Sequence, residues 1–377
     1  VTKRISYRVE VNDAKRSAVE YYRNSYRGES SALLAHILAG DINKSTPETL
    51  WAAILGVTDQ FVLQRVTKDK YVSQVETLQS ELTRFFPIAD AHGTGGSHDF
   101  SEETFIRSSE ELRLDMLRHW TLFSSLTSSA YVCTKLMSWR KSGRNRILEL
   151  LAKLGIPTAD ARQLWRFMKE DSKKALNKLP SIVDEFGLFD LHYDGFVRNF
   201  RDYKGSASAA DVVLAANAVL ELGDVFDSGR HTDLEENVKD RFWKAYDIVC
   251  LRQYTALQVG LKLAIRSQEL LVSEAHQVLE RKKIIPSGSF RYVLLRDSQQ
   301  KKVLIHPLIL SRLALFLQDA LRCSGVPPKP FVILAPDETL RRWVIVGVTG
   351  RGQKNNFGHR FRAAAEKIEA ILSYNGF

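Results

Sequence analysis

LWAAILGVTDQFVLQRVTKDKYVSQVETLQ, residues Leu50–Gln79, carries the pattern on which the fold reading turns. Trp51, Ile54, Leu55 and Val62 recur at helical spacing. Just upstream, Ser45-Thr46-Pro47-Glu48 is a helix start: a hydroxyl cap, proline in the first turn, and an acid near the positive end of the helix dipole. The stretch reads as two helical segments broken near Thr58-Asp59-Gln60, where Thr and Asp side chains suit a cap.

Outward from there, residues 14–40 are mostly helix formers, interrupted at Tyr26-Arg27-Gly28. Phe86–Ser101 (FPIADAHGTGGSHDFS) is rich in Gly and Ser and reads as a loop. Ser101-Glu102-Glu103-Thr104 opens a region that reads as almost wholly helical to about Gly223. In it Leu112, Met116, Trp120, Phe123 and Leu126 recur about once per turn, and Leu154-Gly155-Ile156-Pro157 and Lys178-Leu179-Pro180 punctuate it. Ser206–Leu222 (SASAADVVLAANAVLEL) predicts a helix capped by Ser206 or Ser208, and Asp224–Asp233 a polar turn. A long helix follows over Leu234–Lys282. Trp243, Cys250, Leu257, Ala264, Leu271 and Val278 stand seven apart on it as an apolar stripe. The second heptad position is often polar (Gln253, Ser267), which argues against a coiled coil.

The texture then changes. Phe290–Arg296 alternates as a strand, His306–Cys323 is an amphipathic helix, Pro330–Ala335 and Trp343–Val348 are short apolar strands, and Gly358–Leu372 is a closing helix. The order β-α-β-β-α predicts a small α/β unit with at least three strands. The chain as a whole reads as α/β and helix-rich.

The 377 residues are enough for two or three domains, and 44% hydrophobic with 26% charged is ordinary for a folded protein. No apolar run is long enough to cross a bilayer, so no membrane partner is expected. No signal peptide is read at the front, and a first residue that is Val1 rather than Met points to sequence upstream. Cys133, Cys250 and Cys323 lie far apart with no zinc-like spacing, which fits buried thiols in a reducing compartment. The net charge of +10 is unevenly placed. Residues 280–377 hold seventeen Lys/Arg against seven Asp/Glu, so they carry the whole excess. Such asymmetry attracts polyanions by counterion release; a solubilising face or an acidic protein partner accounts for it equally simply.

Catalytic motifs do not appear. GxSxG and HExxH are missing, and Gly93-Thr94-Gly95-Gly96 lacks the Lys-Ser/Thr of a phosphate loop. His92, His98, Asp90 and Asp99 are the one cluster of metal-ligand types, but a Gly-rich loop is costly to order; it reads as solvated, with no metal. Gly347–Arg362 (GVTGRGQKNNFGHRFR) is the best local site. Arg351, Lys354, Arg360 and Arg362 supply charge, Asn355 and Asn356 hydrogen bonds, and Phe357 a stacking face before a helix N-terminus. That is the composition of a single-strand phosphate site; a polar loop capping an α/β sheet has it too.

YYRNSYRGESSA (Tyr21–Ala32) and LWAAILGVTDQ resemble the cell division control protein 45 family, as do LRLDMLRHWTLFSSLTSSAY, SASAADVV and KNNFGHRFRAAAEK. That family is related to the DHH phosphoesterases, including RecJ-type exonucleases. The resemblance implies the later part of a DHH-like domain over 1–100 and an inserted all-helical domain over 101–232. It further implies a connector helix over 233–283 and a DHH-associated α/β domain over 284–377. It also implies that the front half of the DHH domain, with any DxD and DHH motifs, lies outside this sequence. The implied role is non-catalytic and nuclear, with no cofactor. The protein would be a scaffold joining the GINS complex and the minichromosome-maintenance hexamer of the replicative helicase, with single-stranded DNA among its contacts. The segment around Leu112–Trp139 would dock partners, with Trp139 and Arg140 as anchors, although a Trp at helical spacing also suits a core. The alternative is a metal-dependent DHH-type single-strand exonuclease.

Overall fold

The structure is a computed structural model that describes residues 28–86, 105–199, 206–223, 234–298, 300–338, 340–349 and 355–371. Helix α1 (Ser31–Asp41) leads into α2 (Pro47–Val62), which begins where its sequence predicts. The Thr46 hydroxyl accepts the Thr49 N–H, the Thr49 hydroxyl accepts the Thr46 N–H, and Pro47 follows.

The expected break at Thr58-Asp59-Gln60 is not there. Helix α2 runs through it, and Thr58 is buried between Val57 and Phe61. The chain turns instead after Val62, with Gln64 in left-handed backbone, and α3 (Lys68–Phe85) follows. Asp59 caps nothing. Its carboxylate accepts from Arg65 at 2.7 Å and from Asn217 at 2.8 Å, tying α2 to a distant helix. Apolar neighbours on both sides of Thr58 make continued helix better buried than a cap, so packing overrides local preference.

The region read as all-helical carries a sheet. Strand β1 (Ile106–Leu112) pairs antiparallel with β2 (His192–Asn199), which pairs with β3 (Ser206–Ser208). Ser109 faces Gly195, eighty-six residues away, and that distance hides the pairing from any local pattern. Leu112 to Leu126 is therefore not one helix: Met116 is left-handed, Leu117–His119 make a single 3-10 turn, Trp120 is extended, and α4 (Leu122–Ser128) begins after it. Helices α5 (Ala130–Leu136) and α6 (Lys141–Leu154) and several short turns follow. They enclose a core of their own that includes Leu122, Leu126, Val132, Ile147, Leu150 and Leu188.

Ser206 and Ser208 belong to β3 rather than capping by side chain, and α7 (Ala209–Leu222) begins right after. It is buried on nearly every face, as its apolar composition requires. The predicted single helix over 234–282 is two, α8 (Leu234–Val249) and α9 (Tyr254–Glu280), parted where Leu251 adopts φ 51°. The stripe holds on α9, where Leu257, Ala264, Leu271 and Val278 are buried. Trp243, on α8, is 59% exposed.

The C-terminal unit has one more strand than its sequence shows. Its sheet runs β4 (Ile285–Ser287), β5 (Phe290–Leu294), β6 (Phe331–Asp337), β7 (Arg342–Val348). Strands β5 and β6 are parallel and joined through α10 (Pro307–Cys323); the other pairs are antiparallel. Val293, Phe331, Ile333 and Ala335 face Leu310, Leu313, Phe316 and Leu317 of α10 in one core. Helix α11 (Phe357–Lys367) closes the described chain. The mixed α/β, helix-rich reading is what the molecule is. Among the described residues no helix is long and apolar enough to cross a membrane.

Candidate functional site

Of the residues read as a phosphate site, Arg351 and Lys354 lie outside the described residues, as do His92, His98 and the glycine loop between them. Asn355, Asn356, Phe357, Arg360 and Arg362 gather at the start of α11, beside the end of β7. Asn355 is engaged within the chain: its amide donates to the Gly347 carbonyl at 2.8 Å, and its side-chain oxygen accepts the Phe357 N–H at 3.0 Å. Phe357 lies against Gly347 so closely that a Cβ there would come within 2.2 Å of the ring. It also stacks with Phe361 at 5.3 Å. Phe357 is thus packing, not an open stacking face, and Asn355 holds the turn rather than reaching outward. Asn356 is half-buried at the cap position.

Arg360 and Arg362 are exposed, and among the described residues Arg362 pairs with Glu366 on its own helix at 3.2 Å. An exposed pair of that kind holds a cation weakly. No acid stands in the first turn of α11, so its amide end keeps its positive character.

Trp139 is no anchor for a partner. Its side chain is 6% exposed and belongs to the core with Cys133, Leu222 and Leu271. Arg140 is exposed at the start of α6. Within Leu112–Trp139, the residues Leu114, Met116, Trp120, Leu122 and Leu126 are also buried in the chain's own core.

A cavity of about 520 Å³ lies where β1, β2, the segment after β1 and α7 meet; nothing local in the sequence announces it. Its polar wall comes from residues about a hundred positions apart. Arg118 grips Glu111 through two bonds of 2.9 Å, and His119 stands 3.5 Å from Asp211. The Arg113 guanidinium lies over Tyr131 at 4.4 Å and Phe61 at 5.1 Å. Burial pushes Asp115 up to about 6, against the pull of Arg312, Arg113 and the Ala130 N–H. Burial also raises Glu111, despite Arg118, and raises Tyr193 well above its usual range. Cys133 is pushed up to about 12 by burial, which makes it a poor nucleophile. Among the described residues, no three or more His, Cys, Asp or Glu gather to hold a metal.

This fold defines a class. CDC45 from Entamoeba histolytica, a solved crystal structure, superposes with a TM-score of 0.72 over 93% of this chain and 68% of that one, at 22% identity. At the level of sequence, a family model described as CDC45 matches residues 2–377. The cell division control protein 45 homolog of Dictyostelium discoideum is 31% identical over 380 residues, 94% of this chain and 58% of that protein. The Schizosaccharomyces pombe homolog is 30% identical over 402 residues, 95% and 62% of the two chains. The human homolog is 28% identical over 369 residues, 95% and 63%. The chain belongs to the CDC45 family. It spans about six tenths of the length of the curated relatives it matches.

Proposed function

We propose that this chain is a non-catalytic scaffold of the eukaryotic replicative DNA helicase. In this reading it acts in the nucleus, during initiation and at the moving fork. It holds the GINS complex against the minichromosome-maintenance hexamer, while the hexamer hydrolyses ATP. The observation that carries the reading is the family match over residues 2–377. The physical character of the molecule supports it. The buried Glu111 carboxylate is held by two hydrogen bonds from Arg118, an arrangement that suits a structural ion pair.

Single-stranded DNA is the further contact in this reading. The positive excess of residues 280–377 supplies the attraction, and the exposed Arg360 and Arg362 at the start of α11, together with Arg351 and Lys354, supply local charge.

The test is size-exclusion chromatography of the full-length protein with purified GINS and hexamer on forked DNA with an ATP analogue. Stable co-elution is expected. Failure to co-elute, together with manganese-dependent degradation of single strands in the same samples, would overturn the scaffold and establish a DHH-type exonuclease.

A further inference from the structure

The sheet of the C-terminal unit has two unlike faces. Alternation sends Val293, Phe331, Ile333 and Ala335 inward against α10. The other face carries rings. Phe290 and Tyr292 sit on it two residues apart on β5, with ring centroids 6.3 Å from each other. Trp343 sits on it at the start of β7, opposite Pro336. Between them lies a floor of Leu294, Leu334 and Ile345, aligned across β5, β6 and β7 by the strand register. Phe290 is 36% and Trp343 42% exposed, although both stand on regular strands. A solvated sheet face ordinarily carries polar side chains, so large rings there mark a binding surface.

Cations stand with the rings. The Arg296 guanidinium lies over the Trp343 ring at 5.4 Å, and among the described residues no carboxylate pairs with it. At the far end of the same face α11 begins against Gly347, which stands in one row with Val332 and Tyr292. From the Tyr292 row to the Trp343 row is four residues along β6, about 13 Å at ~3.3 Å per residue. That is about four nucleotides at stacked spacing.

We propose that this face is a stacking platform for single-stranded nucleic acid. Bases lie on Phe290 and Tyr292 at one end and on Trp343 at the other, and Arg296 meets the phosphate backbone beside Trp343. Every base has a π-face, so such a platform tolerates any sequence. The rings decide for nucleic acid over a protein segment, because their rows stand a few stacked bases apart, and the excess of ten cations in residues 280–377 suits a polyanion. The proposal rests on the nucleic-acid part of the function proposed above and names its site and mode.

Labelled oligo-dT and the full-length protein test it by fluorescence anisotropy across a salt series. The double variant Phe290→Ala/Trp343→Ala is expected to lose roughly tenfold or more in affinity, the size of stacking losses on such platforms. Its salt slope should stay unchanged, because the phosphate contacts remain. Trp343→Phe should bind almost as the parent does, since it keeps a ring. Arg360→Glu/Arg362→Glu should instead flatten the salt slope. A fold-independent arm uses ultraviolet crosslinking of the unmodified protein to oligo-dT, with crosslinks expected in peptides spanning 290–296 and 342–348.

Parent-like affinity in the aromatic double variant, or crosslinks only elsewhere, would overturn the platform while leaving DNA binding intact. Loss of co-elution with GINS and the hexamer, with oligo-dT affinity kept, would assign the face to a protein and overturn it as well. No oligo-dT binding by the parent at any salt would remove the nucleic-acid reading itself, and the platform with it.

Discussion

Asp115 shows how little a residue's type says about its state. It lines a cavity, yet the surrounding protein is enough to push its carboxyl up to about 6, even with Arg113 and Arg312 facing it. Its charge is therefore resisted by the fold. A carboxyl raised in the folded state is protonated there while the unfolded chain has already released its proton. Its contribution to stability is complete below the unfolded value, near 4, and is lost as pH rises through about 6. The loss is at most about 3 kcal/mol. Asp115→Asn keeps an acceptor for the Ala130 N–H but has nothing to titrate. Relative to the parent it should gain stability between pH 4 and 6 and hold that gain above 7, measured by urea unfolding at each pH. A constant difference across that range would mean Asp115 has an ordinary pKa. Trp139, Phe357 and Asn355 teach the same lesson: each has the chemistry of a contact residue, and each is engaged inside the chain.

At the scale of elements, starts were legible where a side chain contacts its own backbone. Thr46 and Thr49 close a reciprocal pair ahead of α2, and the sequence carries both residues and Pro47 in order. Thr46→Ala should therefore cost about 0.5–2 kcal/mol in thermal or urea unfolding, while Thr46→Ser should be nearly silent. An Ala variant as stable as the parent would show that tertiary burial of α2, not its cap, sets where the helix begins. Ends and breaks were less legible. The α8–α9 break at Leu251 has no glycine or proline, only a leucine in left-handed backbone that is itself buried. Packing holds that turn, so no turn residue announces it.

Across the whole molecule, a buried polar junction ties α7, α9 and α10 together. Glu221 on α7 is buried, and among the described residues neither of its carboxylate oxygens has a hydrogen-bond partner; Arg312 of α10 stands 3.5 Å away. The same guanidinium donates to Gln268 of α9 at 2.8 Å, and Gln268 donates to the Ser128 carbonyl at 2.7 Å. Burial raises the Glu221 pKa against the pull of Arg312. Arg312→Met should cost about 3–5 kcal/mol, because it leaves a buried carboxylate uncompensated. Adding Glu221→Leu should recover most of that in a double-mutant cycle of unfolding free energies. Two independent, additive losses would show that Arg312 and Glu221 are not coupled.

The sequence by itself determined what acts over a few residues. It specified the start of α2, the apolar stripe of α9, the helix and strands of the C-terminal unit, the uneven charge, and the motifs that carry the family resemblance. Tertiary structure alone decided what depends on residues far apart. It paired β1 with β2 across more than eighty positions, carried α2 through Thr58, and assembled the cavity around Asp115 and Asp211. It also chose which face of the C-terminal sheet meets α10 and which displays Phe290 and Trp343. Capping and helical period are properties of neighbours along the chain. Burial and strand pairing belong to neighbours in space, and only folding brings those together.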